Sequence, residues 1–153
     1  MGDSLGVELR EARVDDLSAI DVLIMSEHLP AFRTGDFLDT FWVLEGQGGL
    51  LGCVGLEVYG KAALLRSVIT SPVLRGQGYG DVLVEKAFEE ARQRGVERLY
   101  LFTMDKAPFF ARHGFERCTL DDFEPAARQC TQYSILVDHP DVAAVLTAMR
   151  RDI

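Results

Sequence analysis

The chain has 153 residues, 48% of them apolar and 26% charged, a length that fits one domain and a composition that excludes global disorder. Sixteen Lys and Arg against 24 Asp and Glu leave a net charge of −8 at pH 7, which argues against nucleic acid as a partner. No apolar run approaches the roughly 18 residues of a membrane span. Residues 1–6 lack the basic and apolar regions of a secretory signal, so a cytoplasmic protein is expected. Gly2 loosely suggests a myristoylation start, but position 6 is Gly where Ser or Thr is required.

Val7 and Leu9 alternate with Glu8 and Arg10, which predicts a strand over 7–13. Asp15 and Asp16 then open a helix whose Leu17, Ile20, Leu23 and Ile24 share a face, ending near 28–30. A turn at 34–36 leads into a short helical stretch, and 41–45 reads as a strand. Residues 50–59 and 62–70 are two strands around the two-residue turn Gly60-Lys61, a hairpin. Pro72 ends the second of them.

From 78 to 94 the pattern is helical, with Leu83, Ala87, Phe88 and Ala91 on one face and Gly95 just past the end. A buried strand over 98–104, a short helix over 107–113 closed by Gly114, and a strand over 115–118 follow. Residues 119–131 are polar and helix- or loop-like. A last strand is predicted over 132–137, broken by Asp138-His139-Pro140. A C-terminal helix is expected over 142–150, so the chain reads as a single domain, 1–153, with 138–153 a C-terminal tail or helix. Strands cluster in the middle, which indicates an α/β (α+β) protein with a mixed sheet, not a doubly wound parallel one.

Cys53, Cys118 and Cys130 are far apart and have no metal-ligand spacing with His28, His113 or His139. Reduced, packed thiols and no metal are expected.

The informative segment is Val68-Ile69-Thr70-Ser71-Pro72-Val73-Leu74-Arg75-Gly76-Gln77-Gly78-Tyr79-Gly80. It lies between a strand and an amphipathic helix. A glycine-rich turn at a helix N-terminus presents backbone N–H groups and the positive dipole end to a phosphate or pyrophosphate. Arg75 adds a permanent charge and a fork of donors. A P-loop is excluded, because Gly80 precedes Asp81-Val82 rather than Lys-Ser/Thr. A dinucleotide fingerprint starting at Gly76 would put Gly at 81, which is Asp.

Arg75-Gly76-Gln77-Gly78-Tyr79-Gly80 resembles the Arg/Gln-x-x-Gly-x-Gly/Ala acetyl-coenzyme A motif of the GNAT N-acetyltransferase superfamily. Val68-Ile69-Thr70-Ser71-Pro72 is similar to the splayed strand end that meets the pantetheine arm. Phe109-Phe110-Ala111-Arg112-His113-Gly114-Phe115 resembles the later helix–glycine–strand signature. The likeness covers residues 7–137. Within the superfamily, 55–60 and 64–67 resemble arsenic-operon-associated acetyltransferases. Residues 99–103, 109–110 and 121–128 resemble the acetyltransferase domain of N-acetylglutamate synthases.

The resemblance implies a mixed, mostly antiparallel central sheet flanked by helices. It implies acetyl transfer from acetyl-coenzyme A to an amine of a small, amino-acid-like acceptor; no cysteine has an evident activating base, so direct attack in a ternary complex is expected. It implies coenzyme contacts at Val68, Ile69, Thr70, Arg75, Gly76, Gln77, Gly78, Tyr79, Gly80 and Phe110. Many members carry Tyr in the later helix as general acid; the matching position here is Phe110. The small-molecule acceptor is the expected partner, and a homodimer stays open. The alternatives are acetylation of a protein N-terminus or lysine, and a non-catalytic acyl-coenzyme A sensor.

Single residues admit two readings each. Glu57 stands in an apolar strand and is expected to deprotonate the acceptor amine, or else to pair with Arg66 across the hairpin. Arg66 is expected to bind an acceptor carboxylate if that pair is not its role; Arg128 and Lys106 are further candidates. Tyr133, at the start of the last predicted strand, is a candidate proton donor or a packed tyrosine. Cys130 is a site thiol or a buried one. Trp42, Phe32 and Phe37 are core or pocket walls, and His113 reads as structural.

Overall fold

The strand β1 (Glu8–Glu11) pairs antiparallel with β2 (Phe41–Gly46), placing Leu9 opposite Leu44 and Glu11 opposite Trp42. The structure, a computed structural model, describes residues 6–29 and 31–153. The N-terminal segment where no signal is expected, with Gly2, and Pro30, where the first helix is expected to end, lie outside the described residues.

Seven strands form one sheet in the order β1-β2-β3-β4-β5-β7-β6. The remaining five are β3 (Gly49–Tyr59), β4 (Ala62–Thr70), β5 (Arg98–Thr103), β6 (Glu116–Cys118) and β7 (Thr147–Asp152). Four of the described pairings are antiparallel, and β4 with β5 is parallel. The described β4–β5 register runs from Ala62↔Arg98 to Leu64↔Tyr100. The mixed, mostly antiparallel α/β architecture expected from the sequence is the one observed.

The chain divides into two compact units: the residues up to Leu56 with Ser67–Ala87, and Glu57–Arg66 with Phe88–Ile153. In the first, helix α1 (Leu17–Ser26) buries Ile20 and Ile24, one turn apart, against Phe41, Val43, Cys53 and Ile69. Close packing here depends on missing side chains in β3. A Cβ on Gly55 would lie 2.3 Å from the Phe41 ring, and one on Gly52 would lie 2.7 Å from the Ile69 carbonyl oxygen. Arg10 ties the start of the unit together, bonding Asp16 at 2.8 and 2.9 Å and Glu45 at 2.8 Å.

In the second unit Ala62, Leu64, Tyr100, Phe123, Ala127 and Cys130 form a buried cluster. The segment 119–131 supplies half of it, through two single turns of 3-10 helix, Leu120–Asp122 and Ala127–Gln129. Helix α2 (Tyr79–Gln93), whose residues up to Ala87 belong to the first unit, buries Leu83, Val84, Ala87, Phe88 and Ala91 and ends before Gly95, whose φ of 79° is the left-handed stop that glycine provides. Helix α3 (Ala107–Arg112) is short and is followed by Gly114, also left-handed at φ 85°.

Two expected elements at the C-terminus are corrected. Residues predicted as the last strand form helix α4 (Tyr133–Asp138). The predicted C-terminal tail or helix is instead the short helix α5 (Pro140–Ala143) followed by strand β7. In the first case Tyr133, Ile135 and Val137 alternate as in a strand, but Leu136 is the one α4 side chain that is buried, so packing overrode a weak local pattern. In the second, β7 lies between β5 and β6, with Met149 opposite both Leu101 and Arg117. Those partners are more than 30 residues away in sequence, and a local window does not contain them.

Candidate active site

The glycine-rich turn belongs to the first unit. The Ser71 N–H donates to the Leu51 carbonyl at 2.7 Å, and Pro72–Leu74 then make one turn of 3-10 helix anchored by buried Leu74. Arg75 is extended. Gly76 and Gly78 follow at φ 77° and 83°, a backbone that side-chain-bearing residues adopt only at a cost. A Cβ at either position would meet nothing within 4 Å. These glycines therefore serve the course of the backbone and the open space beside it, not internal packing.

The first bond of the helical ladder described here runs from the Val82 N–H to the Gly78 carbonyl, at 3.2 Å. The leading amides of an α-helix lack intrahelical acceptors and sit at the positive end of its dipole, so this turn suits a pyrophosphate. The Arg75 guanidinium is 61% exposed and only 3.8 Å from the Glu27 carboxylate, a loose pairing that leaves it available to an anion. The Gln77 side-chain amide donates to the Val73 carbonyl at 2.9 Å and stiffens the turn. Val68, Ile69 and Thr70 end β4 just before this turn, and Ser67, at φ 58°, interrupts the regular strand ahead of them.

The second unit holds a buried polar cluster around Glu57. Its Oε1 accepts from the Tyr59 hydroxyl at 2.8 Å and the Thr131 N–H at 2.9 Å. Its Oε2 accepts from Arg66 Nη1 at 2.8 Å and the Thr131 hydroxyl at 2.7 Å. A carboxylate offers about four lone-pair sites, and four donors fill them. A general base needs one directed at the incoming proton. The geometry thus favours the alternative reading of Glu57, as the partner of Arg66.

Tyr59 shares Glu57's face of β3, two residues on, and that parity was visible in the sequence. Thr131 was not singled out: 74 residues separate it from Glu57, and no sequence pattern links them.

Other expected residues fall elsewhere. Tyr133 begins α4, not a strand, and its ring packs on Phe123 at 5.6 Å between centroids. Arg128 directs Nε to the Phe123 carbonyl at 2.8 Å and Nη2 to that of Asp121 at 3.3 Å, with its guanidinium 5.7 Å from the Tyr133 ring centroid. Phe110 is buried and meets Phe115 edge-on. Lys106 caps α3, its N–H donating to the Thr103 hydroxyl at 3.0 Å. His113 ends α3 and its carbonyl accepts from Arg151 at 2.7 Å. Trp42 is buried in β2, while Phe32 and Phe37 are half-buried. Burial pushes the Cys130 thiol up to about 11. Among the described residues no cluster of His, Cys, Asp and Glu is placed to hold a metal ion, and no helix is long and apolar enough to cross a membrane.

Residues 38–117 match the family model described as an acetyltransferase (GNAT) domain. The chain belongs to the GNAT acetyltransferase family. The expectation of an acetyl-coenzyme A-dependent acetyltransferase is met at the level of that family. An amino-acid acetyltransferase of Mycobacterium tuberculosis is 29% identical over 119 residues, 70% of this chain and 67% of the relative. That of Ralstonia nicotianae is 30% identical over 132 residues, 79% of this chain but 29% of the relative. A homologue from Neisseria meningitidis serogroup A is 26% identical over 80% of this chain, which spans 30% of its length.

In fold the GNAT chain is similar to the N-acetylglutamate synthase of Neisseria gonorrhoeae complexed with coenzyme A and N-acetyl-glutamate. The TM-score is 0.78 at 23% identity, covering 95% of this chain and 35% of that one. A Mycobacterium tuberculosis protein in complex with coenzyme A gives 0.77 at 24% identity, covering 95% and 99%.

Proposed function

We propose that this GNAT domain transfers the acetyl group of acetyl-coenzyme A to the amine of a small acceptor that carries a carboxylate or similar oxyanion. The donor half rests on the turn at Arg75–Gly80, where two left-handed glycines precede α2. The acceptor half rests on the relatives named amino-acid acetyltransferase, a name that sets a carboxylate beside the reacting amine. Buried Arg66 has its carboxylate partner within the chain, in Glu57 at 2.8 Å.

The chemistry is a direct exchange. The free amine attacks the thioester carbonyl, a C–N bond forms, the C–S bond breaks, and the proton lost from nitrogen balances the thiolate. With Phe at 110, that proton reaches sulfur through water or another hydroxyl. Glu57 holds Arg66 rather than taking the amine proton, and Tyr133 and Arg128 support the acceptor-side segment.

The test is coenzyme A release and product mass with acetyl-coenzyme A and a panel of the twenty L-amino acids, their decarboxylated amines, polyamines and a lysine peptide. Turnover confined to carboxylate-bearing amines is expected. Preference for polyamines or peptide, which the charge of −8 would steer, overturns the acceptor assignment. Binding without turnover across the panel overturns the enzymatic one in favour of a sensor.

A further inference from the structure

Strand β7 carries two consecutive arginines, Arg150 and Arg151, whose side chains leave opposite faces of the sheet. Both line a cleft of about 270 Å³ at the end of the strand, with Arg98 from β5, Glu116 from β6, Asp152 and Gly114. Three guanidinium groups stand there against two carboxylates, in a chain of net charge −8. Arg98 is occupied: its Nε bonds the Asp152 carboxylate, and its Nη1 lies 3.7 Å from that of Glu124. Arg150 is half-buried, and its one described bond is long, from Nη1 to the Asp122 carbonyl at 3.4 Å. Arg151 gives one bond, from Nη1 to the His113 carbonyl at 2.7 Å. A guanidinium has five N–H donors, so the described bonds leave most of those on Arg150 and Arg151 open. Among the described residues neither forms an ion pair.

We propose that this cleft is a binding site for hydrogen phosphate, free or as a monoester, with Arg150 and Arg151 as its cations and Glu116 as an acceptor. Arg151 is already set in place. Its guanidinium lies over the Phe88 ring, 4.4 Å from the centroid, and a Cβ on Gly114 would lie 3.0 Å from its Nε. The left-handed glycine that closes α3 thus also makes room for this cation, and a side chain held by a ring and a carbonyl loses little freedom on binding an anion. The open fork of Arg150 matches two phosphate oxygens at once. Glu116 stands opposite Arg150 in the β6–β7 register, exposed and held by no described bond. A carboxylate only accepts. Hydrogen phosphate keeps an O–H to donate to it at neutral pH, whereas sulfate has none, so phosphate is the preferred anion. These residues all belong to the second unit and share none with the turn at Arg75–Gly80.

The probe is inorganic phosphate, titrated with the full chain at neutral pH and constant ionic strength and followed by the width of its phosphorus NMR line. A dissociation constant of about 1 mM or below is expected, with sulfate weaker by about tenfold, the loss of one hydrogen bond to a charged group. Arg150→Ala should weaken phosphate binding by about tenfold or more. Arg150→Lys keeps the charge without the fork and should fall between. Glu116→Gln should narrow the preference for phosphate over sulfate, because the amide donates as well as accepts. Arg75→Ala should leave phosphate binding unchanged. Glycerol phosphate as competitor separates the two sources: displacement of phosphate at similar concentrations admits a monoester to the site, and no displacement confines the site to the free ion.

No saturable broadening of the phosphate line overturns the inference, and so does equal binding of phosphate and sulfate by the parent. Affinity that falls in Arg75→Ala and holds in Arg150→Ala overturns it too, by moving the anion to the glycine-rich turn. Melting temperatures taken without phosphate show which variants fold. If Arg150→Ala does not, Arg150→Lys and Glu116→Gln decide: an unchanged phosphate affinity in the first, together with an unchanged ratio of phosphate to sulfate affinity in the second, removes both residues from any anion site.

Discussion

Arg66 Nη1 lies 2.8 Å from Glu57 Oε2, and both side chains are out of water, at 2% and 0% exposure. Such a pair is expensive to desolvate, and its attraction repays that cost only when the remaining hydrogen bonds are satisfied. Tyr59 and Thr131 supply them on the carboxylate side. Removing one charge from a buried pair leaves the other uncompensated, at a cost of about 3–5 kcal/mol. Glu57→Gln should therefore lower the melting temperature by about 10 °C in a chain of this length, as calorimetry would read. The same variant separates base from partner. A lost base gives a deficit in kcat/KM that shrinks as pH rises and free amine accumulates. A lost partner gives a deficit that is flat across roughly pH 6–10, the range of the amine's titration, and the flat profile is expected.

The glycine-rich turn makes a second prediction. Arg75→Ala removes an exposed cation with only a loose partner, so the fold should be unaffected. Acetyl-coenzyme A binding should weaken by about 1.5–3 kcal/mol, the range for charge-assisted hydrogen bonds. Gly78→Val should weaken it further, because valine resists a φ of 83° and fills the open space beside the backbone. Titration calorimetry with acetyl-coenzyme A reads both; unchanged affinities would remove the turn from the coenzyme site.

The turn was legible in the sequence because its physics is local: glycine spacing, a preceding strand and a following amphipathic helix sit within about 25 residues. The two readings of Glu57 and Arg66 were legible because they face each other across a two-residue hairpin. Thr131 was not, since its bonds to Glu57 span 74 residues. Tyr133 was misplaced for a related reason. Its β-prone neighbours suggested a strand, while the chain there forms α4 and packs Tyr133 on Phe123. Strand β7 shows the same limit, because its place in the sheet is set by β5 and β6.

Acid stability follows from Asp16. The Arg10 guanidinium, bonded to both of its oxygens, lowers its pKa from 3.8 to about 2, against the opposing effect of burial. A carboxyl whose folded pKa lies below its unfolded one stabilises the fold fully above the unfolded value, and the contribution fades as pH falls toward the folded value. Here it is about 2 kcal/mol, present above about pH 4 and lost progressively down to about pH 2. Asp16→Asn should thus be less stable than the parent by about that amount in urea at pH 7. The gap should close as the titrations are repeated at lower pH. A gap that is constant from pH 7 to 2 would mean that the Arg10 bonds act through packing and not through charge.

A relay through cysteine would need a thiolate, and the described thiols are poor sources of one. Burial raises Cys118 and Cys130 to about 11, so at pH 8 about 0.1% of either is ionised. Cys53 is buried in the first unit's core and directs its thiol to the Ser67 carbonyl at 3.3 Å. The acceptor amine should then attack acetyl-coenzyme A directly while both are bound. Initial-velocity plots against the two substrates should intersect rather than run parallel, since parallel lines are the mark of a covalent ping-pong route. Treatment with iodoacetamide at pH 8 for a time that alkylates a free model thiol should leave the activity intact. An acetylated cysteine peptide recovered from enzyme incubated with acetyl-coenzyme A alone, together with parallel lines, would reverse this order and place a thiolate on the reaction path.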